Sequence, residues 1–400
     1  MTEATVDALT AKIARNIKLN YVYTMLMNAQ LDKGIWMLFL SYRGLDLIQI
    51  GLVEAVYQLA SLAFGMPAGA IGDLIGRKAS LVLSIVAKIL SYVLILVSTG
   101  LAGYSASFVL GAVSIVLYNT ASESIAYESV RITGKAAKYK QIYGNILALA
   151  FVSTALGIAV GGFIAAGSFE AVYYAMLIIM ALALVPAFLF TETRGVAVNG
   201  RRGIKSIIRL FFDSLRAVAG NPLILFLLVL IGCITTTDQT IYMYCQKYFQ
   251  LMGIPVAVIG IVIGVDSLFA AFGARYSYVL ARLSPRNVVV IVPVMIFGAY
   301  SLLAILDNPV GVPLLWLATI FVVAFWPILS DLVNARVPSE NRATVLAFKG
   351  QLSSAAVMIL FPVVGFFAER YSLSLAFIWL LLIMLPLVAY SVIKIRASAF

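Results

Sequence analysis

The sequence predicts an all-α membrane protein: twelve transmembrane helices in two pseudo-symmetric six-helix bundles, with cytoplasmic N- and C-termini. Three observations carry this expectation. The first is composition: of 400 residues, 63% are hydrophobic and 11% charged, against about 45–50% apolar in soluble domains. With a mean hydropathy of +1.04 over 43.2 kDa, there is too little polar surface to cover a water-soluble particle. A soluble enzyme, a secreted scaffold and a disordered chain are excluded. The second observation is the number of apolar runs long enough to cross about 30 Å of hydrocarbon, and the third is where the basic residues fall between them.

Taken in order, residues 1–18 form a polar, basic tail without a signal-peptide cleavage pattern. Spanning runs follow near 19–41, 47–69, 79–99, 105–127, 142–166 and 171–190, which make a first bundle over 19–190. A basic central loop, 191–220, separates these from runs near 221–245, 254–278, 287–306, 312–333, 343–366 and 372–393, a second bundle over 221–393. Residues 394–400 form the second tail. The net charge of +11 is a topology signal and not a nucleic-acid footprint. An N-terminus placed inside assigns 22 of 28 Lys and Arg to cytoplasmic segments, and leaves Arg43, Lys247 and Arg370 outside and Lys33, Lys88 and Lys349 within the apolar runs. A multi-pass protein of the cell (inner) membrane, expected as a monomer, fits this arrangement.

The two halves read as a duplication. Membrane acids repeat at similar offsets: Asp32 to Asp238 is 206 residues, Glu54 to Asp266 is 212 and Glu123 to Asp331 is 208. Parallel six-helix repeats that share a site at their interface are a transporter architecture.

Between the second and third runs stands Gly69-Ala-Ile-Gly-Asp73-Leu-Ile-Gly76-Arg77-Lys78. Glycine permits a tight reversal and close helix approach, while Asp73 and Arg77 have the charges for ionic contacts that hold the cytoplasmic side. The segment resembles the loop signature of the major facilitator superfamily, and the resemblance covers essentially the whole chain. It implies a gating network of Gly69, Asp73, Gly76, Arg77 and Glu128, the last in Glu128-Ser-Val-Arg131 at the end of the fourth run. Topology determination and solvated loop charge are the alternative reading of these residues.

The fifth run contains Ser153-Thr-Ala-Leu-Gly157-Ile158-Ala-Val-Gly161-Gly162, which resembles the antiporter signature of the superfamily's drug exporters with Ile158 where the proline belongs. Close packing of small residues explains the same spacing. A partial echo, Pro362-Val-Val-Gly365, lies in the eleventh run. The arginine that many proton-coupled exporters carry in the fourth helix is missing, because Gly111 to Ala126 contains no basic residue.

Ionisable groups deep in hydrocarbon are functional candidates by default. With no histidine in the chain, any proton carrier is expected among Asp32, Glu54, Asp238 and Asp266. Helices one, four, seven and ten line the cavity in the family resembled, so Asp32 and Asp238 are expected to see substrate and protons. The polar run Thr235-Thr-Thr-Asp238-Gln239-Thr240 needs water or a ligand beside it. Trp36, Tyr57, Tyr118, Gln239, Tyr242 and Trp326 complete the expected substrate contacts. The bland alternative for Asp32, Lys33 and Glu54 is a static ion-pair cluster between helices one and two, and for Lys88 a structural role in helix three. Glu123, Asp331 and Lys349 are expected nearer the cytoplasmic ends.

Cys233 and Cys245 are twelve residues apart in one run, about 18 Å along a helix and too far for a disulfide. No metal, cofactor or nucleotide loop is expected, and the chain is not expected to be an enzyme. The implied function is secondary active transport of a small molecule, with proton-coupled efflux of a drug-like compound or metabolite leading. Uptake of a small metabolite and flipping of a lipid or amphiphile are the alternatives.

Overall fold

A computed structural model of the chain describes residues 3–65, 72, 75–134, 136–193, 222–334, 336 and 342–397. Among them are thirteen α-helices: α1 (Glu3–Met27), α2 (Trp36–Tyr42), α3 (Leu47–Gly65), α4 (Arg77–Val97), α5 (Leu101–Ile132), α6 (Tyr139–Gly167), α7 (Phe169–Leu189), α8 (Pro222–Leu251), α9 (Val256–Leu280), α10 (Pro285–Leu306), α11 (Val312–Asn334), α12 (Arg342–Arg370) and α13 (Leu373–Ala397). Eleven helices are long and apolar enough to cross a membrane, and they coincide with the second to twelfth expected runs. Gly69, Asp73 and most of the central loop (194–221) lie outside the described residues, as does the Lys349 side chain.

The first expected run is corrected. Residues 19–41 do not form one helix: α1 ends at Met27, residues 28–35 turn, and α2 resumes at Trp36. Gln30 in this link takes a positive φ of 25°, and the polar sequence Asn28-Ala-Gln30-Leu-Asp32-Lys33-Gly34 offers the backbone alternatives to helical hydrogen bonds. Before the break, α1 carries a polar ladder at helical spacing against α5. The Asn20 amide donates to the Ser122 carbonyl at 3.1 Å and accepts from the Ser122 hydroxyl at 2.9 Å, and Asn28 donates to Tyr118 Oη at 2.9 Å.

The halves meet mainly through two helix pairs, α6 with α9 and α3 with α12, with a smaller contact of α8 on α2. The two main pairs are the fifth run on the eighth and the second on the eleventh, which exchange under a six-helix duplication. Both contacts use small residues, since lipid offers no hydrophobic drive and backbone proximity supplies the packing energy. A Cβ on Gly162 falls 2.7 Å from Gly260 Cα, and one on Gly51 falls 2.7 Å from Pro362 Cα. The helix faces turned away from these seams carry exposed Phe151, Phe163, Leu182 and Leu382, as lipid contact requires. At one end of the molecule the seam is closed by polar contacts. Glu369 Oε2 accepts from the Leu47 N–H at 3.1 Å, and Lys247 Nζ donates to Ser41 Oγ at 3.0 Å.

Gly162→Val and Gly51→Val are each expected to lower thermal stability in detergent by about 1–3 kcal/mol through overpacking. Gly298→Val serves as the control, because nothing lies within 4 Å of a Cβ there.

Candidate functional site

The link at residues 28–35 is held by α6, α7 and α8. Gly157 and Gly161 of α6 lie so close to the Ala29 and Leu31 carbonyls that a Cβ at either would collide with them. Thr154 Oγ1 donates to the Asn28 carbonyl at 3.1 Å, and the Leu31 N–H donates to Met176 Sδ at 3.4 Å. Fully buried Gln246 of α8 crosses from the other half. Its Nε2 donates to the Lys33 carbonyl at 2.9 Å, and its Oε1 accepts from the Met37 N–H at 3.2 Å. The glycines expected as an antiporter signature thus seat this link, and Ile158 meets Gly34, where a Cβ would come 2.6 Å from Ile158 Cγ2.

The link presents Asp32 and Lys33 to a cavity of about 330 Å³, whose walls include Trp36, Glu54, Tyr57, Lys88, Tyr92, Phe108 and Tyr173, with Met243 contributed by α8. Four expected residues are therefore gathered here: Asp32, Trp36, Glu54 and Tyr57. The static cluster of Asp32, Lys33 and Glu54 does not form. Asp32 Oδ1 accepts from Tyr92 Oη at 3.1 Å, Glu54 Oε1 accepts from Gln58 Nε2 at 2.7 Å, and Lys33 makes no described ion pair. Lys88 places its ammonium 4.7 Å from the centre of the Tyr92 ring, a cation–π contact.

The second half repeats this design. Asp238 Oδ1 accepts from Tyr300 Oη at 2.6 Å, and Tyr92 to Tyr300 is an offset of 208, within two residues of the 206 between the acids they hold. Asp266 is buried with Oδ1 lacking a described hydrogen-bond partner, and it interacts electrostatically with Asp238 and with Lys33 of the first half. Tyr242 feels both acids. In the polar run, the Thr235 and Thr236 hydroxyls reach Ser353 Oγ at 3.0 and 3.4 Å, while the Thr237 and Thr240 hydroxyls are buried without described partners.

Other expected contacts fall elsewhere. Asp238, Gln239, Tyr242 and Asp266 do not line the 330 Å³ cavity. Tyr118 is committed to Asn28 and to Thr24 Oγ1. Trp326 lines a separate narrow cleft between α8 and α11. Both cysteines are free and buried, and no metal-ligating cluster occurs among the described residues.

At the opposite end from the Glu369 contact, the residues expected to gate converge on one that sequence reasoning missed. Glu192 accepts from the backbone N–H groups of Arg77 at 3.1 Å and Lys78 at 3.0 Å, an anion on the N-terminus of α4. Gly76, at φ 98°, leaves room for that carboxylate, which a Cβ would meet at 2.5 Å. The Arg77 guanidinium lies 3.8 Å from Glu128 Oε1, and Glu128 also accepts a hydrogen bond from the Thr193 hydroxyl. Helix α5, at 32 residues about 48 Å long, reaches past the hydrocarbon to deliver Glu128. These contacts join α4, α5 and the end of α7, all in the first half.

Comparison with known proteins came out as follows. The family model described as Major Facilitator Superfamily matches residues 22–350. The "Uncharacterized MFS-type transporter YxaM" of Bacillus subtilis (strain 168) is 22% identical over 377 residues, covering 90% of each chain. Among solved structures, the nucleoside transporter NupG superposes with a TM-score of 0.74 at 14% identity, covering 98% of this chain and 100% of that one. A bacterial homologue of the human lysosomal transporter Spinster, inward-facing and unoccupied, gives 0.71 at 12% identity, covering 99% and 98%.

Glu192→Ala is expected to cost about 1–2 kcal/mol of thermal stability by uncapping α4, with Glu192→Gln intermediate.

Proposed function

The chain belongs to the Major Facilitator Superfamily, and on that premise we propose that it is a proton-coupled secondary transporter with twelve membrane passes, both termini cytoplasmic, that moves a small molecule by alternating access. That it is a membrane transporter and not an enzyme follows from the family. The observation that carries the rest is the position of Lys33. It sits on a non-helical link and interacts electrostatically with Asp266 of the other half and with Asp32 of its own. Rocking of one half against the other changes the distance to Asp266 while Asp32 travels with the link. A proton arriving at either carboxylate changes which of them Lys33 faces.

The paired Asp32–Tyr92 and Asp238–Tyr300 contacts support a coupling role for these acids. With the termini inside, the end closed by the contacts of Ser41, Leu47 and Glu369 is the outer one. Arg77, Glu128 and Glu192, with Gly69, Gly76 and Asp73, form the cytoplasmic gate. The contacts of Arg77 with Glu128 and of Glu192 with the start of α4 join elements of the first half.

Export of a drug-like compound or metabolite across the plasma membrane is the direction that the fifth-run resemblance implies. Uptake is the second reading, and a specific observation favours it: Gly157 and Gly161 are occupied in seating the link, so the motif carries no exporter-specific geometry. Flux of chemically distinct compounds in inverted and right-side-out vesicles decides between them.

Asp32→Asn is expected to abolish uphill, gradient-driven transport while leaving downhill exchange measurable in proteoliposomes. Accumulation at the wild-type rate would remove Asp32 from coupling and move that role to Asp238 and Asp266. Arg77→Lys is expected to impair transport with the protein still inserted, since an ammonium does not reproduce a guanidinium fork.

A further inference from the structure

Resting on the transport reading, we infer that the 330 Å³ cavity takes an organic anion with an aromatic or other flat apolar body, its anionic group held by Lys33 and Lys88. Of the four charged side chains on the wall, both carboxylates already receive a hydrogen bond from the protein, Asp32 from Tyr92 at 3.1 Å and Glu54 from Gln58 at 2.7 Å. Neither ammonium has an acceptor: among the described residues no carboxylate lies within ion-pair distance of Lys33 or Lys88. Lys88 rests on the face of Tyr92, and Lys33 is exposed at the cavity.

An ammonium at membrane depth is costly without acceptor oxygens, so what the cavity lacks is anionic oxygen, not further donors. Lys33 adjoins Asp32 in the link and Lys88 rests on Tyr92, so each lysine neighbours one partner of the same hydrogen bond in the cavity wall. The body of the ligand is set by the remaining wall. Trp36 and Phe108 lie with ring centres 5.4 Å apart, and Tyr57 meets Phe108 edge-on at 6.2 Å, so a flat ring finds aromatic faces to pack on. The volume suits one or two fused rings with a short acidic substituent.

Three probes with one ring system separate the terms: naphthoate, naphthalenemethanol and naphthylmethylamine, titrated calorimetrically into the full-length protein in detergent. Naphthoate is expected to bind at least about tenfold more tightly than the alcohol, with the amine weakest, the scale of one charge-assisted contact. Lys33→Gln and Lys88→Gln should each lower naphthoate affinity by about tenfold and leave the alcohol unchanged, and Lys→Arg at either position should retain the anion preference. Amine binding equal to or tighter than naphthoate, or no measurable naphthoate binding, overturns the inference. The wild-type comparison decides this even where a lysine variant fails to fold. Flux is scored separately. Naphthoate binding without movement in proteoliposomes keeps the site and counts against transport, whereas movement of any probe without an anion preference keeps transport and removes the site.

Discussion

Backbone that leaves the helical pattern at membrane depth needs its hydrogen bonds and its close packing supplied by protein, because hydrocarbon offers neither. Residues 28–35 meet this requirement from three helices. Thr154 satisfies the Asn28 carbonyl, Met176 takes the Leu31 N–H, and Gln246 donates to the Lys33 carbonyl and accepts from the Met37 N–H at the start of α2. Gly157 and Gly161 remove the side chains that would keep the link from lying on α6. The placement of Asp32 and Lys33 follows: in a continuous helix their side chains would point about 100° apart on one cylinder, whereas in the link both line the cavity.

That constraint also makes the two halves unequal. The seams α6 with α9 and α3 with α12 obey the duplication, and so do the Asp–Tyr pairs at 32/92 and 238/300. The break does not, since α8 runs uninterrupted from Pro222 to Leu251. The cavity consequently sits within the first bundle, with α8 contributing Met243, and Asp238 and Asp266 of the second half do not line it. Lys33 interacts electrostatically with Asp266 of that half and with Asp32 of its own.

Hydropathy located eleven of the spanning helices because each is a run of apolar residues, and composition alone reports that. It missed the break because a hydropathy window averages over Asn28, Asp32 and Gly34, and no average registers where backbone hydrogen bonds go. The signal was present in those three residues, as the α1–α5 ladder was in Asn16, Asn20, Thr24 and Asn28 at four-residue spacing. The acids were found because charge in a membrane is rare. Their tyrosine partners, at an offset of 208, were findable by the comparison already applied to the acids, but Tyr is common in this chain and does not stand out. Glu192 lay in a loop read for its positive charge. Tyr118 and Trp326 lie outside the 330 Å³ cavity, since an aromatic side chain announces packing without saying on which face.

The most direct test of the link is thiol accessibility. In a background carrying Cys233→Ala and Cys245→Ala, both native thiols being buried, single Leu31→Cys, Lys33→Cys and Ile35→Cys variants are exposed in native membranes to a charged, membrane-impermeant methanethiosulfonate added from either side. Leu31 and Ile35 are buried and Lys33 faces the cavity, so fast labelling at position 33 with protection at 31 and 35 is the result the account predicts. Protection at 33 equal to that at 35 would contradict it.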